Sequence, residues 1–258
     1  MASNLQEQLK VQQMNINERM SKIGKKIAIG SGKGGVGKSV VTSLIASYLV
    51  KQGKNVGVLD LDITGPSIPM MFGIDEKPLG SSAGIMPVVS ESGIKIMSMS
   101  LLLPSNEDAV IWRGPMISGA VSQFLADVIW GDLDYLLFDL PPGTSDVQLT
   151  LMQSIKLDGF VVVTSPQNLA ATIVKKAISM AEELKVKVLG CVENMAYAKC
   201  PDCGKKINVF GNDEDNKMGI PIIGKIPIDP EISKLCDEGK IEKYEIDLGG
   251  IYKILEGL

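Results

Sequence analysis

The sequence predicts an α/β fold, a mostly parallel β-sheet flanked by helices on both faces, with a small β-hairpin inserted. Three observations predict it. From residue 26 onward, short apolar runs alternate with helix-compatible stretches, the order that builds parallel β-α-β units. Several of these runs are almost wholly apolar, as strands covered on both faces must be. The first run leads into a glycine-rich loop that opens a helical segment.

Residues 1–25 are polar and rich in Gln, Lys and Met. They read as an N-terminal extension, either a loose amphipathic helix or disordered. Residues 26–30 form the first strand, and a helix follows over 38–52. The second strand, 55–60, ends in an aspartate. Residues 86–89 and 94–99 straddle Ser90-Glu91-Ser92-Gly93 and read as the hairpin. A helix over 117–129 precedes the strand 135–139. The alternation continues with helix 145–155, strand 159–164, helix 169–184 and strand 187–192. Strand 222–226 and helix 230–238 complete it. No internal repeat or low-complexity tract interrupts residues 26–258, which read as a single domain.

Composition narrows the chemistry. The 258 residues are 45% hydrophobic and 22% charged, enough to bury a sizeable core. The net charge of −4 disfavours nucleic-acid binding. There is no histidine, which removes imidazole acid–base catalysis, Ser-His-Asp arrangements and imidazole metal ligands together. Four cysteines are too few for a disulfide scaffold and suit a reducing compartment. No apolar leader opens the chain, and no run approaches the ~20 apolar residues of a membrane span. A cytoplasmic protein without membrane attachment is expected.

The loop Gly32-Lys33-Gly34-Gly35-Val36-Gly37-Lys38-Ser39 fits the phosphate-loop pattern G-x-x-x-x-G-K-[ST]. Its strand–loop–helix setting is the context the pattern requires, so the fold is read as a P-loop NTPase. Successive backbone N–H groups there cradle phosphates, helped by the helix N-terminus. Lys38 is expected to reach the terminal phosphates of ATP, and Ser39 to ligate Mg2+. Lys33 is a second lysine with no place on the same phosphate. Its expected use is to reach a nucleotide held by a second subunit. Asp60 and Asp62 end a strand two residues apart, and Asp139 ends another before Pro141-Pro142-Gly143-Thr144. Ligands of open α/β sheets sit at such strand ends, so these carboxylates are placed to meet magnesium or an attacking water. The Pro-Pro-Gly turn is placed to sense the γ-phosphate. Phosphoryl transfer depends on positioning and charge neutralisation, so it needs no histidine.

Cys200 and Cys203 lie in a charged, turn-forming stretch, 198–206. A C-x-x-C turn points two sulfurs to one side, which suits a metal. Four ligands are the usual requirement of zinc or a four-iron cluster, and a symmetric dimer would supply them. An iron–sulfur site, a dimer-bridging zinc, a redox dithiol and a disulfide all remain open on the residues alone. Cys191 and Cys236 read as core thiols. Met70, Met71, Met86, Met97 and Met99 read as core packing or a flexible apolar surface.

The two-lysine loop resembles the deviant phosphate loop of the MinD/ParA-like ATPases, which dimerise face to face around two ATPs. A narrower resemblance follows from five segments: Asp60-Leu61-Asp62-Ile63-Thr64-Gly65-Pro66-Ser67, Trp112-Arg113-Gly114-Pro115-Met116, Asp139-Leu140-Pro141-Pro142-Gly143-Thr144-Ser145-Asp146, Glu193-Asn194-Met195 and Cys200-Pro201-Asp202-Cys203-Gly204. In this order they resemble the motifs of the Mrp/ApbC-type iron–sulfur cluster carrier ATPases, over about residues 25–237. The resemblance implies a slow ATPase and a homodimer holding a labile [4Fe-4S] cluster between its subunits. It implies apo iron–sulfur clients and a scaffold or donor protein as partners. Lys33, Lys38 and Asp62 become the catalytic residues, with Asp62 positioning the water and Lys33 crossing to the partner's ATP. Asp60 and Asp139 would support magnesium with Ser39, and Asn194 would help recognise adenine with the loop 227–229. Cys200 and Cys203 become the shared cluster ligands. One departure stands at Ile173, where such proteins usually carry an aspartate. A cluster-free positioning ATPase of the MinD/ParA kind is the alternative. It needs a basic amphipathic tail or a basic DNA face, whereas residues 241–250 are acidic and broken by glycine.

Overall fold

The computed structural model describes residues 2–62, 65–102, 114–166, 168–200, 202–210 and 219–258. In chain order the elements are α1 (Ala2–Ser21), β1 (Ile23–Ser31), α2 (Lys38–Lys51), β2 (Val56–Asp60), α3 (Ile68–Met71), β3 (Leu79–Ser81), β4 (Gly84–Met86), β5 (Val88–Val89) and β6 (Lys95–Ser98). A 3₁₀ turn, Met99–Leu102, leads towards α4 (Gly114–Asp127), β7 (Leu133–Asp139), α5 (Asp146–Ser154), β8 (Gly159–Thr164), α6 (Asn168–Glu183) and β9 (Val188–Glu193). Next come β10 (Ala198–Lys199), β11 (Lys206–Ile207), β12 (Ile222–Lys225), α7 (Pro230–Asp237), a 3₁₀ turn at Ile241–Lys243 and α8 (Gly249–Glu256).

Eight strands form one sheet in the order β12-β9-β8-β1-β7-β2-β6-β5. All its pairings are parallel except β5 with β6. The central strands are nearly all apolar because both faces are covered. On one face Ile16 and Met20 of α1, Phe124 and Leu125 of α4, Leu151 of α5 and Ala177 of α6 pack against Leu59, Phe138 and Phe160. On the other, Leu44 and Leu49 of α2, Ile68 of α3, Ile232 of α7 and Ile251 and Leu255 of α8 pack against Ile27, Val58 and Leu137.

The sheet places the site. β1 lies between β7 and β8, and parallel pairing brings Asp60 level with Asp139 and Ile29 level with Asp139. The carboxyl ends of β1, β2 and β7 therefore converge at one rim, where open α/β sheets bind ligands. The expected hairpin is present, with Val88 opposite Ile96. β6 also pairs in parallel with β2, so this hairpin extends the main sheet. Two further hairpins, β3–β4 and β10–β11, lie outside it. The 1–25 extension is helical over α1 and anchored: Arg19 Nη2 donates to the Ala83 carbonyl at 2.6 Å. The first strand starts at Ile23, earlier than residue 26. Among the described residues no helix is long and apolar enough to cross a membrane.

Candidate functional site

The phosphate loop joins the end of β1 to the start of α2. Gly37, the residue before α2, has φ 76°, a left-handed conformation that glycine adopts without strain. A Cβ there would also overlap Nδ2 of Asn194. Val36 is buried and anchors the loop, while Gly34 and Gly35 are exposed. Lys33 is half-buried, and its carbonyl accepts the Ser31 hydroxyl at 3.0 Å. A cavity of about 220 Å³ opens over the loop, walled by Asp62, Met71 and Pro142. A larger apolar cleft of about 1010 Å³ lies between α1 and α4, and none of its described lining residues comes from the phosphate loop or its carboxylates.

Beneath the loop lies a tight polar cluster. Lys38 Nζ donates to Asp139 Oδ2 at 2.7 Å and lies 3.6 Å from Asp62 Oδ2. The Ser39 hydroxyl donates to the same Asp139 oxygen at 2.6 Å. The Thr42 hydroxyl donates to Asp139 Oδ1 at 2.7 Å. Asp60 accepts the Asp62 backbone N–H at 3.0 Å and the Ser98 hydroxyl at 3.2 Å. Asp60 and Asp139 are fully buried and Lys38 nearly so. Burial, followed by the neighbouring Asp139 charge, pushes the Asp60 carboxyl up to about 8, against the pull of Lys38. One ammonium thus faces three carboxylates.

The residues expected at the nucleotide, Gly32 to Ser39 with Asp60, Asp62 and Asp139, share this one end of the sheet. Thr42 and Ser98 belong to the cluster as well, and neither stands out in the sequence. Ser98 is the register partner of Asp60, and Thr42 lies one helical turn after Lys38. Asn194 follows β9. Its N–H donates to the Thr164 carbonyl at 2.8 Å and its Nδ2 to the Val36 carbonyl at 2.9 Å. In this structure the carboxamide braces the phosphate loop. Asp229, in the loop beside it, caps α7 through the Glu231 N–H and accepts the Tyr244 hydroxyl. Ile63, Thr64, Trp112, Arg113, Gln167, Pro201 and the Ile173 side chain lie outside the described residues.

The cysteine pair sits on the β10–β11 hairpin. Its turn closes through Cys200 N–H to the Lys205 carbonyl and Gly204 N–H to the Cys200 carbonyl, both 2.9 Å. Cys203 is exposed and Cys200 half-buried. The backbone N–H groups of Cys203 and Asp202, then the Cys203 thiol, draw the Cys200 thiol below its ordinary value. Among the described residues no three His, Cys, Asp or Glu side chains are arranged to hold a metal, so among them this hairpin offers two thiol ligands. Cys191 is buried, and burial pushes its thiol up to about 12. Cys236 is only half-buried, more open than a core thiol.

The family described as NUBPL iron-transfer P-loop NTPase, of the ParA group, matches residues 22–253. An iron–sulfur cluster carrier protein of Methanocaldococcus jannaschii is 50% identical over 234 residues, 88% of this chain and 81% of that one. A nucleotide-binding protein of Archaeoglobus fulgidus, solved with ADP, superposes with a TM-score of 0.82 at 48% identity, covering 92% of this chain and 95% of that chain. The cell division ATPase MinD of Pyrococcus furiosus superposes at 0.65 with 21% identity, over 90% and 97%, a likeness of fold alone. With its phosphate loop and carboxylates assembled at one rim of a parallel sheet, the chain belongs to the NUBPL iron-transfer P-loop NTPase family.

Proposed function

We propose that the chain is a slow ATPase that carries a labile [4Fe-4S] cluster as cargo, working as a cytoplasmic homodimer. The observation that carries this reading is an exposed C-x-x-C hairpin on the same domain as a complete phosphate site. Two thiols per chain are half of what a four-iron cluster takes, and a two-fold dimer doubles them. The family match and the cluster-carrier name of the Methanocaldococcus relative support the same assignment. Apo iron–sulfur proteins are the acceptors, and a scaffold or donor protein loads the cluster.

In the nucleotide site Lys38 neutralises charge on the terminal phosphates, and Asp62, beside it, orients the attacking water. Lys33 reaches the partner's ATP, and Asn194 flanks the adenine side from the base of the loop. The donor set suits Mg2+: the Ser39 hydroxyl and the Asp60 and Asp139 side chains offer hard oxygen donors. Bound there, the ion would neutralise phosphate charge.

The test is anaerobic reconstitution of Cys200→Ala and Cys203→Ala, with iron, sulfide and ATP binding measured. Both variants are expected to lose the cluster and to bind ATP as the parent does. A stoichiometric cluster retained in both would refute the ligand assignment.

A further inference from the structure

Residues 145–148 read Ser-Asp-Val-Gln, the spacing of a reciprocal helix-capping box. In such a box the N-cap hydroxyl bonds the N–H of the third helical residue, whose Gln side chain returns to the N-cap N–H. Ser145 is the N-cap of α5 and Gln148 its third residue. Here the box is open. Ser145 makes no side-chain cap bond, and its Oγ is buried without a partner among the described residues. Gln148 is fully buried, and its Nε2 donates to the Pro141 carbonyl at 2.7 Å. Its Oε1 is buried and likewise unpartnered.

Pro141 opens the loop whose next residue, Pro142, lines the phosphate-loop cavity. Two residues earlier, Asp139 holds Lys38, Ser39 and Thr42. Pro142 walls the phosphate cavity, and the Gly143 N–H donates to the Ser31 carbonyl at 2.8 Å. Neither proline has an N–H to give. The bond from Gln148 is therefore a main tether of the loop's first residue. Buried polar atoms are ordinarily paired, and two orphans in one helical turn mark a second arrangement that would satisfy both.

We propose that Gln148 is a positioning residue for hydrolysis, its carboxamide exchanging between the Pro141 carbonyl and a capping box with Ser145. In the first arrangement the loop is tethered to α5. In the second, Gln148 Oε1 accepts the Ser145 N–H, Ser145 Oγ accepts the Gln148 N–H, and the Pro141 carbonyl is released. ATP and ADP differ by the γ-phosphate, and Pro142 of this loop walls the phosphate cavity, so the two nucleotides are expected to weight the arrangements differently. The inference rests on the reading of the chain as an ATPase.

Three variants test it at pH 8.5. Gln148→Leu loses both arrangements and is expected to lower kcat about tenfold with KM unchanged. Gln148→Glu keeps the acceptor the box needs and exchanges the Nε2 donor to the Pro141 carbonyl for an oxygen. Ser145→Ala keeps the Pro141 bond and loses the box hydroxyl. Calorimetry then gives the ratio of affinities for a non-hydrolysable ATP analogue and ADP. Gln148→Glu and Ser145→Ala are expected to move this ratio in opposite directions, each by roughly three- to tenfold. A parent-like kcat in Gln148→Leu, or ratios that move together or stay fixed, overturns the proposal. If Gln148→Leu fails to fold, the ratio decides alone. A parent chain that hydrolyses no ATP would end the ATPase reading, while the ratio would still judge the exchange.

Discussion

Asp60 is the most conflicted group in the nucleotide site. It is fully buried beside Asp139, and its carboxyl is pushed up to about 8. An unfolded aspartate titrates near 3.9. Between these values the folded chain binds more protons than the unfolded one, so stability falls as pH rises through that window. The penalty is small below about pH 4 and complete above about pH 8. Asparagine mimics the protonated side chain in size and carries no charge. Asp60→Asn is therefore expected to stabilise the nucleotide-free chain little at pH 4 and by roughly a few kcal/mol at pH 9. Urea unfolding at both values measures it, and a gain independent of pH would contradict the conflict described. Thr42 shows what single residues conceal. One hydroxyl within a helical run announces nothing until the helix turns it onto Asp139.

Helix α1 shows how an element gains its stability from packing. Leu9, Val11 and Met14 are more than half exposed, whereas Ile16 is 2% exposed and Met20 6%. The helix is thus held by its last turns. Ile16→Ala is expected to destabilise the chain by about 2–4 kcal/mol, and Leu9→Ala by no more than about 0.5 kcal/mol, both by urea unfolding. Among elements, the central strands and the helices between them are legible in the sequence because burial on both faces writes long apolar runs. The phosphate loop is legible because its chemistry fixes eight consecutive residues. α3, α8, β3–β4 and β10–β11 are short, and tertiary contacts rather than local pattern hold them. The pairing of β6 with β2 was hidden for another reason: parallel neighbours are set by long-range crossovers. Ser98 reaches Asp60 only through that register, and Gln148 reaches Pro141 only through an open cap. Neither leaves a signature in composition or spacing.

At the scale of the whole molecule the question is whether two chains build one catalytic unit. Lys38 already engages Asp139 and lies beside Asp62 within a single chain, and Lys33 stands half-buried at the loop's other end. If Lys33 serves the partner's ATP, defects in Lys33 and Asp62 must complement each other across the dimer. In a mixed dimer of Lys33→Ala and Asp62→Ala chains, the site in the Lys33→Ala chain keeps its own Asp62 and receives an intact Lys33 from the other chain. The second site lacks both. Random pairing makes half the dimers mixed, each with one complete site, so equal mixing is expected to restore about a quarter of parent ATP turnover. A lysine acting within its own chain restores nothing, because every site then lacks one of the two residues. Phosphate release from the mixture, compared with each variant alone, separates these outcomes. Inactivity of the mixture under conditions where sedimentation shows mixed dimers would place Lys33 in its own subunit's chemistry and remove the dimer from the hydrolytic step.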